Sequence, residues 1–280
     1  RGKLFRPTLV LLCSAVDGKP QPANIKLAAA IELIHLATLV HDDAVDHSVL
    51  RRGMPTLNAL FSHQISVIMG DFLYSIALTK LVDLGDIGAL RAITRASTEM
   101  TVGEMRQLAV DDSLSFSEDD YYALIRSKTA SLMSAACEVG SLAGAGSYRD
   151  ELVGYGEALG MAFQIADDLI DYTEAEETTG KPTGLDLKEH KVTLPLIAAL
   201  RVMTAAERAK VERLFANDAP GDAEVADVIG IVTVNGGLEY ARKQGAGFAE
   251  RARGALAGLP DTVARQALIE SISYVMDRHA

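Results

Sequence analysis

The stretch ANIKLAAAIELIHLATLVHDDAV, Ala23–Val45, is apolar around most of the circumference of the helix that it predicts. A helix of this kind is buried on most of its sides, so it predicts a core helix of a large helical fold. Four polar exceptions recur at spacings of three and four and form one stripe: His35, Thr38, Asp42 and Asp46. We expect that stripe to line a wet cavity.

A second helix, predicted over residues 153–172, ends in the same acidic pattern. The pattern D-D-x-x-D occurs twice, as a first triplet of Asp42, Asp43 and Asp46 and a second triplet of Asp167, Asp168 and Asp171. In a helix the first and last members lie one turn apart on one face. Each triplet therefore presents two carboxylates side by side.

Crowded carboxylates in an apolar helix either take up protons or attract a cation. Mg²⁺ suits this pattern best, because it accepts one or two protein carboxylates and fills its other positions with water and substrate phosphate. A solvated acidic helix end is the better explanation of a single triplet. Two copies, each ending an apolar helix, favour a metal site.

The composition bounds the class of protein. The 280 residues are 49% hydrophobic and 23% charged, with eight prolines and no tryptophan, which favours an all-α protein. The net charge of −11 argues against a nucleic-acid partner. Cys13 and Cys137 lie in apolar surroundings and predict buried thiols in a reducing, cytoplasmic compartment.

No linker divides the chain, so we expect one domain over residues 1–280. Further helices are predicted over residues 65–82, 88–108, 118–143 and 194–214, after Gly237 and up to about Arg278. The longest uncharged runs contain proline and polar residues, so we expect a soluble protein without a membrane span. Because the sequence starts at Arg1, we expect a helix upstream of it to be missing.

Basic residues near the triplets predict a site for a ligand with several phosphate charges. An isolated lysine is more often a solvated surface charge, but arginines and lysines beside metal-binding carboxylates suit a diphosphate. The candidates are Lys3, Arg6, Arg51, Arg52, Lys128, Lys181, Lys188 and Lys191. His35 is equally well interpreted as a core histidine or a functional one, and no P-loop motif supports nucleotide hydrolysis.

Together these motifs resemble those of the trans-type isoprenyl diphosphate synthases over essentially the entire chain. The resemblance is carried, in the family's order, by RGKLFRP, ELIHLATLVHDDAVD, LRRGMPT, GDFLYSIAL, KTASL, FQIADDLIDY, GKPTGLDLKEHKVTLPL and GGLEYA. Each segment alone is a weak signal, whereas the set is specific. Leu4 stands where the family often has arginine, Arg1 replaces a glycine, and His190 stands where glycine is commoner.

The resemblance implies an all-α bundle around a deep central cavity, the type I isoprenoid synthase fold, in a homodimer. It implies a trans-prenyltransferase in which an allylic diphosphate loses pyrophosphate and the resulting carbocation is attacked by the double bond of isopentenyl diphosphate. Loss of a proton then gives a product longer by one isoprene unit. Mg²⁺ would be the cofactor, with three ions when substrate is bound, to neutralise the leaving group.

The resemblance also implies residue roles. The metal ligands would be Asp42, Asp46 and Asp167, with Asp43, Asp168 and Asp171 as lesser candidates. The allylic diphosphate would be held by Arg51, Lys128, Lys181 and Lys191. Isopentenyl diphosphate would be held by Lys3, Arg6, His35 and Arg52. The catalytic set near the reacting carbons would be Lys128, Thr129 and Gln164.

The floor of the cavity beneath the first triplet is expected to set product length. Ala37 and Thr38 are small where short-chain enzymes commonly place aromatic residues, so we predict a long-chain polyprenyl diphosphate, released at a membrane surface. The alternative is a short-chain farnesyl or geranylgeranyl product, with a bulky floor residue such as Met69, Phe72 or Met133.

Two other functions compete with this prediction. A class I terpene cyclase shares one aspartate-rich motif, but its second motif usually contains asparagine, serine or threonine and glutamate. A non-catalytic subunit of a heteromeric synthase typically lacks one or both triplets. Because this chain carries both, the catalytic synthase is favoured.

Overall fold

In a computed structural model the chain is described over residues 4–17, 22–51, 53–108, 113–173 and 183–277. The predictions made for Lys3, Arg52 and Lys181 fall outside these residues. The described residues form fourteen α-helices: α1 Phe5–Ser14, α2 Ala23–Val45, α3 Leu57–Leu60, α4 His63–Leu84, α5 Ile87–Leu108, α6 Glu118–Ile125, α7 Ser131–Leu142, α8 Arg149–Thr173, α9 Leu185–Lys188, α10 Leu194–Leu200, α11 Ala205–Phe215, α12 Asp222–Val234, α13 Gly237–Ala255 and α14 Val263–Met276.

The fold is all-α, as predicted. The described ranges contain one small β-element, an antiparallel pair of two-residue strands, β1 Leu50–Arg51 and β2 Met54–Pro55. Helix α8 packs against α7, α13 and α14, while α2 packs on α4 and α1 packs on α7. Cys13 and Cys137 are both fully buried and free, which confirms the prediction of buried thiols.

Between α6 and α7 the chain forms a five-residue π-helix, Arg126–Ala130. A π-helix is rare and its wider turn redirects the side chains that it carries. Glycine allows α8 to approach this segment closely, because a Cβ added to Gly160 would lie 2.5 Å from Cα of Ala130. The close approach brings the Thr129 side chain to that of Gln164 on α8.

Two of the predicted helices are interrupted. Residues 118–143 contain the π-helix, and residues 194–214 divide into α10 and α11. The second break has a local cause, because Thr204 and Glu207 form a capping box that starts α11. Helices α1, α3, α9 and α12 were not among the predicted helices. Two of them, α3 and α9, have only four residues, α1 contains Pro7, and α12 starts directly after Pro220 and Gly221.

Helix α4 leaves much of its apolar surface in solvent. Only 22% of its most apolar stretch is buried, and α2 and α4 both have the length and hydropathy of a membrane span. That test is also passed by helices of soluble cores, and α2 carries Asp42 and Asp43 in its last turn. On α4 the exposed side chains of Ile65, Ile68 and Phe72 follow one another at spacings of three and four, which makes a continuous stripe.

Candidate active site

The first triplet lies where α2 ends. Asp42 and Asp43 belong to its last turn, and Asp46 follows the helix with its N–H bonded to the Asp42 carbonyl at 2.8 Å. Asp43 is buried and accepts the Nε–H of Arg51 at both carboxylate oxygens, at 2.8 and 3.0 Å. Asp43 therefore anchors the β1–β2 hairpin, while Asp42 is half-buried and Asp46 exposed.

Asp42 lies among charged groups from three other segments. Burial raises the pKa of its carboxyl above the usual range, and the carboxylates of Glu104 and Asp46 raise this pKa further. Lys128 and Arg51 act on the same pKa in the opposite direction. A bound divalent cation would remove the repulsion between these carboxylates.

Lys128 comes from the π-helix and reaches toward the first triplet. Its Nζ forms an ion pair with Glu104 of α5, and its charge opposes the rise that burial causes in the pKa of Asp42. Thr129, the next residue, is buried. The π-helix thus presents an ammonium group and a hydroxyl to the same region.

The second triplet divides into three environments on α8. Asp167 is exposed, and Asp168 is buried. Asp171 accepts the backbone N–H groups of Leu185 and Asp186, both at 3.1 Å, and so holds the start of α9. Of this triplet, Asp167 is the member best placed to reach a ligand in solvent.

Asp168 is the centre of a hydrogen-bonded group that reaches the cavity. Its Oδ2 accepts from the Tyr121 hydroxyl at 2.6 Å, and its Oδ1 accepts from Nε2 of Gln164 at 2.8 Å. Thr129 Oγ1 donates to Oε1 of Gln164 at 2.7 Å. The predicted catalytic pair Thr129 and Gln164 is therefore brought into direct contact.

The segment after α9 carries a second cation to the site. Lys191 Nζ pairs with Glu189 at 2.6 Å. Burial lowers the pKa of Lys191, but the bond to Glu189 and the charges of Asp186 and Asp46 outweigh it and the pKa is raised. Burial, followed by the charge of Asp171, raises the pKa of Asp186 to about 7.

One cavity of about 360 Å³ joins the second triplet, the π-helix and the segment after α9. Its polar lining consists of Gln107, Tyr121, Lys128, Thr129, Gln164, Asp168, Asp186, Glu189, His190, Lys191 and Thr193. Its apolar lining includes Leu108, Phe116, Leu124, Ile125 and Val192. Such a cavity combines charged groups at one side with a surface that suits a hydrocarbon chain.

The two triplets face one region of the molecule. Lys191 lies close enough to Asp46 that this first-triplet carboxylate raises its pKa. Asp186, which also acts on Lys191, has its own pKa raised by Asp167 of the second triplet. The cavity lining itself includes neither Asp42 nor Ala37, so the first triplet borders the cavity rather than forming its wall.

Arg6 and His35 come together between α1 and α2. Nη1 of Arg6 lies 3.1 Å from Nε2 of His35, so the guanidinium donates and the imidazole accepts. Burial lowers the pKa of Arg6 to about 10, partly opposed by Glu32, and the guanidinium stays charged at neutral pH. This pair is separate from the cavity described above.

Three residues of the site were not singled out from the sequence: Tyr121, Glu104 and Asp186. Tyr121 is one of two adjacent tyrosines, and the sequence does not say which of them faces Asp168. Asp186 does lie within the GLDLKEHK segment that carries the resemblance, and this segment was the available signal. Glu104 became visible only through its contact with Lys128.

The donor set fits Mg²⁺ with phosphate better than a cation held by protein alone. Among the residues that the structure describes, no three His, Cys, Asp or Glu side chains converge into a ready ligand cluster. Mg²⁺ needs only one or two carboxylates when water and phosphate supply the rest. Asp42 and Asp46, one turn apart with the pKa of Asp42 raised, provide such a pair.

Comparisons with known proteins show the family of this chain. The family model described as polyprenyl synthetase matches residues 1–232. An all-trans-nonaprenyl-diphosphate synthase (geranyl-diphosphate specific) of Rhodobacter capsulatus is 41% identical, over 99% of this chain and 85% of that protein. The octaprenyl diphosphate synthase of Escherichia coli is 39% identical, over 96% of this chain and 83% of that protein.

A solved structure extends the likeness to the fold. The polyprenyl synthase from Caulobacter crescentus, complexed with calcium and isoprenyl diphosphate, superposes with a TM-score of 0.95 at 36% identity. The superposition covers 100% of this chain and 86% of that one. The chain therefore belongs to the polyprenyl synthetase family of prenyltransferases.

Proposed function

We propose that this chain condenses isopentenyl diphosphate head to tail with an allylic diphosphate and builds a long-chain polyprenyl diphosphate. The observation that carries the proposal is a cavity with an apolar wall that is lined by Lys128, Lys191 and Asp168 of the second triplet and bordered by the first triplet. The carboxylates suit a metal ion, the lysines suit a diphosphate, and the apolar wall suits a prenyl chain.

Each described cation assigned to the allylic diphosphate has a carboxylate partner in the ligand-free chain. The pairs are Arg51 with Asp43, Lys128 with Glu104, and Lys191 with Glu189. A diphosphate would replace the carboxylate partners of Lys128 and Lys191. Arg51 can remain bonded to Asp43 through Nε and still donate its terminal N–H groups to a diphosphate, because Asp43 accepts only from Nε.

Asp42, Asp46 and Asp167 would hold Mg²⁺, which would act as a Lewis acid on the leaving diphosphate. Lys128 and Lys191 would add positive charge at the same oxygens, and Thr129 and Gln164 would face the reacting carbons. Arg6 and His35 would bind isopentenyl diphosphate, since the guanidinium and the second ring nitrogen of the imidazole can each donate a hydrogen bond to it.

The direct test supplies the purified protein with isopentenyl diphosphate, a labelled allylic diphosphate and Mg²⁺, and sizes the products by chromatography. A long-chain polyprenyl diphosphate supports the proposal. A farnesyl or geranylgeranyl product would replace it with the short-chain alternative, and a cyclic hydrocarbon formed without isopentenyl diphosphate would indicate a terpene cyclase. No product at all would point to a non-catalytic subunit.

Ala37→Phe is expected to shorten the main product while turnover remains measurable. Ala37 is buried on α2, five residues before Asp42, and in the proposed function the growing chain extends past it beneath the first triplet, where a phenyl ring would take up the space. Product length is measured by chromatography after dephosphorylation. An unchanged length distribution would contradict the assignment. Of the alternative floor residues, Phe72 is 57% exposed and Met133 is fully buried.

We further propose that the protein is a homodimer whose interface includes the stripe of Ile65, Ile68 and Phe72 on α4. Ile68 is 65% exposed and Phe72 57% exposed, and adjacent apolar groups of this size are usually covered in solution. A second copy fits this role because the most common oligomers are symmetric dimers that pair the same surface.

The double variant Ile68→Glu/Phe72→Glu is expected to elute as a single chain when light scattering measures its mass, because two buried carboxylates would oppose pairing. Val263→Glu is the matched control, since Val263 is 87% exposed at the start of α14 and lies outside the stripe. A dimer that persists in the double variant would rule out this interface.

A cytoplasmic location is proposed on the strength of the two free, buried thiols, Cys13 and Cys137, which suit a reducing compartment. A long product would leave the enzyme at a membrane surface, because transfer of each CH₂ group out of water contributes about 0.8 kcal/mol. Fractionation of cells that contain tagged protein tests the first point, and product release with and without lipid vesicles tests the second.

A further inference from the structure

A chain of three hydrogen bonds leads from the core to the cavity. The Tyr121 hydroxyl donates to Oδ2 of Asp168 at 2.6 Å, and Nε2 of Gln164 donates to Oδ1 of Asp168 at 2.8 Å. Oγ1 of Thr129 donates to Oε1 of Gln164 at 2.7 Å. All four residues line the cavity, and Tyr121 and Asp168 are only 2% and 5% exposed.

The direction of these bonds is set at Asp168. Asp168 accepts at both of its oxygens in these bonds, so the amide of Gln164 turns its NH₂ group to Asp168 and its oxygen to Thr129. Thr129 has a single hydroxyl hydrogen, which this oxygen takes up. The Thr129 hydroxyl therefore has only lone pairs left to present to the cavity.

This polarity matters for a reaction that passes through a carbocation. Lone pairs of the Thr129 hydroxyl and the Gln164 amide oxygen carry partial negative charge and stabilise positive charge that develops beside them. A threonine with its hydrogen directed into the cavity would present partial positive charge instead. The same two side chains thus help or hinder ionisation according to the direction of the chain of bonds.

Tyr121 stands at the start of that chain. It supplies the donor for Oδ2 of Asp168, a buried acceptor. Without that donor the carboxylate would rotate toward its other donor among the described residues, the Gln164 amide. With Tyr121 in place, Oδ1 alone receives Gln164 and the amide has one orientation. Without the Tyr121 hydroxyl, the Asp168 carboxylate and the Gln164 amide can both rotate about their side-chain bonds, and the amide no longer has a single orientation.

We propose that Tyr121 is a positioning residue for the prenyl transfer reaction, acting through Asp168 to orient Gln164 and Thr129 with their lone pairs toward the reacting carbons. This inference rests on the proposed function, because it needs an allylic carbocation in this cavity. It assigns a role to a tyrosine that lies outside both aspartate triplets and holds no metal or phosphate itself.

The test compares two inhibitors in wild-type protein and in Tyr121→Phe. One is an ammonium analogue of the allylic diphosphate, with a positive nitrogen at the carbon that ionises. The other is the allylic thiolodiphosphate, called the neutral analogue because its prenyl part carries no charge. We expect Tyr121→Phe to bind the ammonium analogue about tenfold more weakly and to lose about tenfold in kcat, the effect of one ordinary hydrogen bond. Binding of the neutral analogue and both KM values should stay within about twofold.

Tyr155→Phe is the matched control. Tyr155 is also fully buried and also makes one described hydrogen bond through its hydroxyl, to the Leu268 carbonyl at 3.0 Å, away from the cavity. Both variants should lose similar stability in urea unfolding, but Tyr155→Phe should keep wild-type kcat and wild-type preference for the ammonium analogue. A general structural effect would move both variants alike.

A second variant keeps the test decisive if Tyr121→Phe does not fold. Gln164→Leu removes the middle of the chain of bonds at a half-buried position and should show the same selective loss of the ammonium analogue. Where both single variants fold, combining them should cause no further loss, because both changes break one chain.

Equal weakening of both analogues in these variants, or no weakening of either, would overturn the role assigned to Tyr121. Those results leave the prenyltransferase activity of the wild-type protein untouched. If wild-type protein instead formed no prenyl product and bound neither analogue, the proposed function itself would fail, and with it this inference.

Discussion

Asp42→Ala is expected to lower kcat for magnesium-dependent condensation by about a hundred- to a thousandfold, the usual cost of removing one group that stabilises charge in a transition state. Asp42 is the half-buried member of the first triplet, and its charge interacts with Lys128 and Asp46. In the proposed mechanism Asp42 is a metal ligand at the point where the diphosphate leaves, and the substitution removes it. The measurement is steady-state kinetics at several Mg²⁺ concentrations.

The substitution Asp42→Asn, which removes the charge and keeps the shape of the side chain, should not destabilise the protein in the absence of metal. Burial raises the pKa of Asp42 above its usual range, so the folded state binds the proton more tightly than the unfolded state. The free energy of unfolding therefore falls as the pH rises from the pKa of Asp42 in the unfolded state to its higher pKa in the folded state. At neutral pH the ionised carboxylate destabilises the folded protein. Asp42→Asn should consequently unfold in urea at the same or a higher midpoint when Mg²⁺ is chelated.

Asp83→Ala is the control for Asp42→Ala. Asp83 is an exposed aspartate of α4 whose described ion pair is with Lys80, at 3.8 Å. It should keep wild-type kcat and wild-type dependence on Mg²⁺. Activity of Asp42→Ala close to that of Asp83→Ala would remove Asp42 from the metal site.

The sequence was most informative where one local pattern decides the structure. The apolar residues of Ala23–Val45 led to a core helix because almost every face of that helix needs burial, and the structure has α2 over this range. The π-helix was not predicted, because its wider turn depends on how α8 packs against it at Gly160. The break between α10 and α11 carried a local signal in Thr204 and Glu207, and the prediction missed it.

The predicted site was partly accessible from the sequence for a related reason. Both triplets stood out because like charges recurred in apolar helices, but their common location was implied only by the resemblance. The pairing of Lys128 with Glu104 depends on the packing of α5 beside the π-helix, which no single segment specifies. The choice of Tyr121 rather than Tyr122 depends on the rotation of α6, and only the contact with Asp168 reveals it.

The largest effect on stability is expected from the double variant Arg95→Ala/Arg149→Ala. Glu138 of α7 is 2% exposed and forms ion pairs with Arg95 of α5 and Arg149 at the start of α8. Nε of Arg149 also donates to Oε1 of Glu138 at 3.2 Å. Without the arginines a buried carboxylate loses both partners. The two arginines are about half exposed, so we expect a loss near the lower limit for a broken buried pair, about 3 kcal/mol.

Urea unfolding of the variant measures this loss, and Arg208→Ala/Arg253→Ala is the matched control. These two arginines pair with Glu212 and Glu250 on exposed helix faces, where each pair contributes less than about 1 kcal/mol.

Adding Glu138→Met to the first double variant separates the effect of the buried charge from the effect of lost packing. If the charge is responsible, the triple variant recovers most of the stability, because an apolar side chain of similar size needs no partner. If the arginine stems are responsible, the triple variant stays as unstable as the double variant, and Glu138 is then held by packing rather than by its ion pairs.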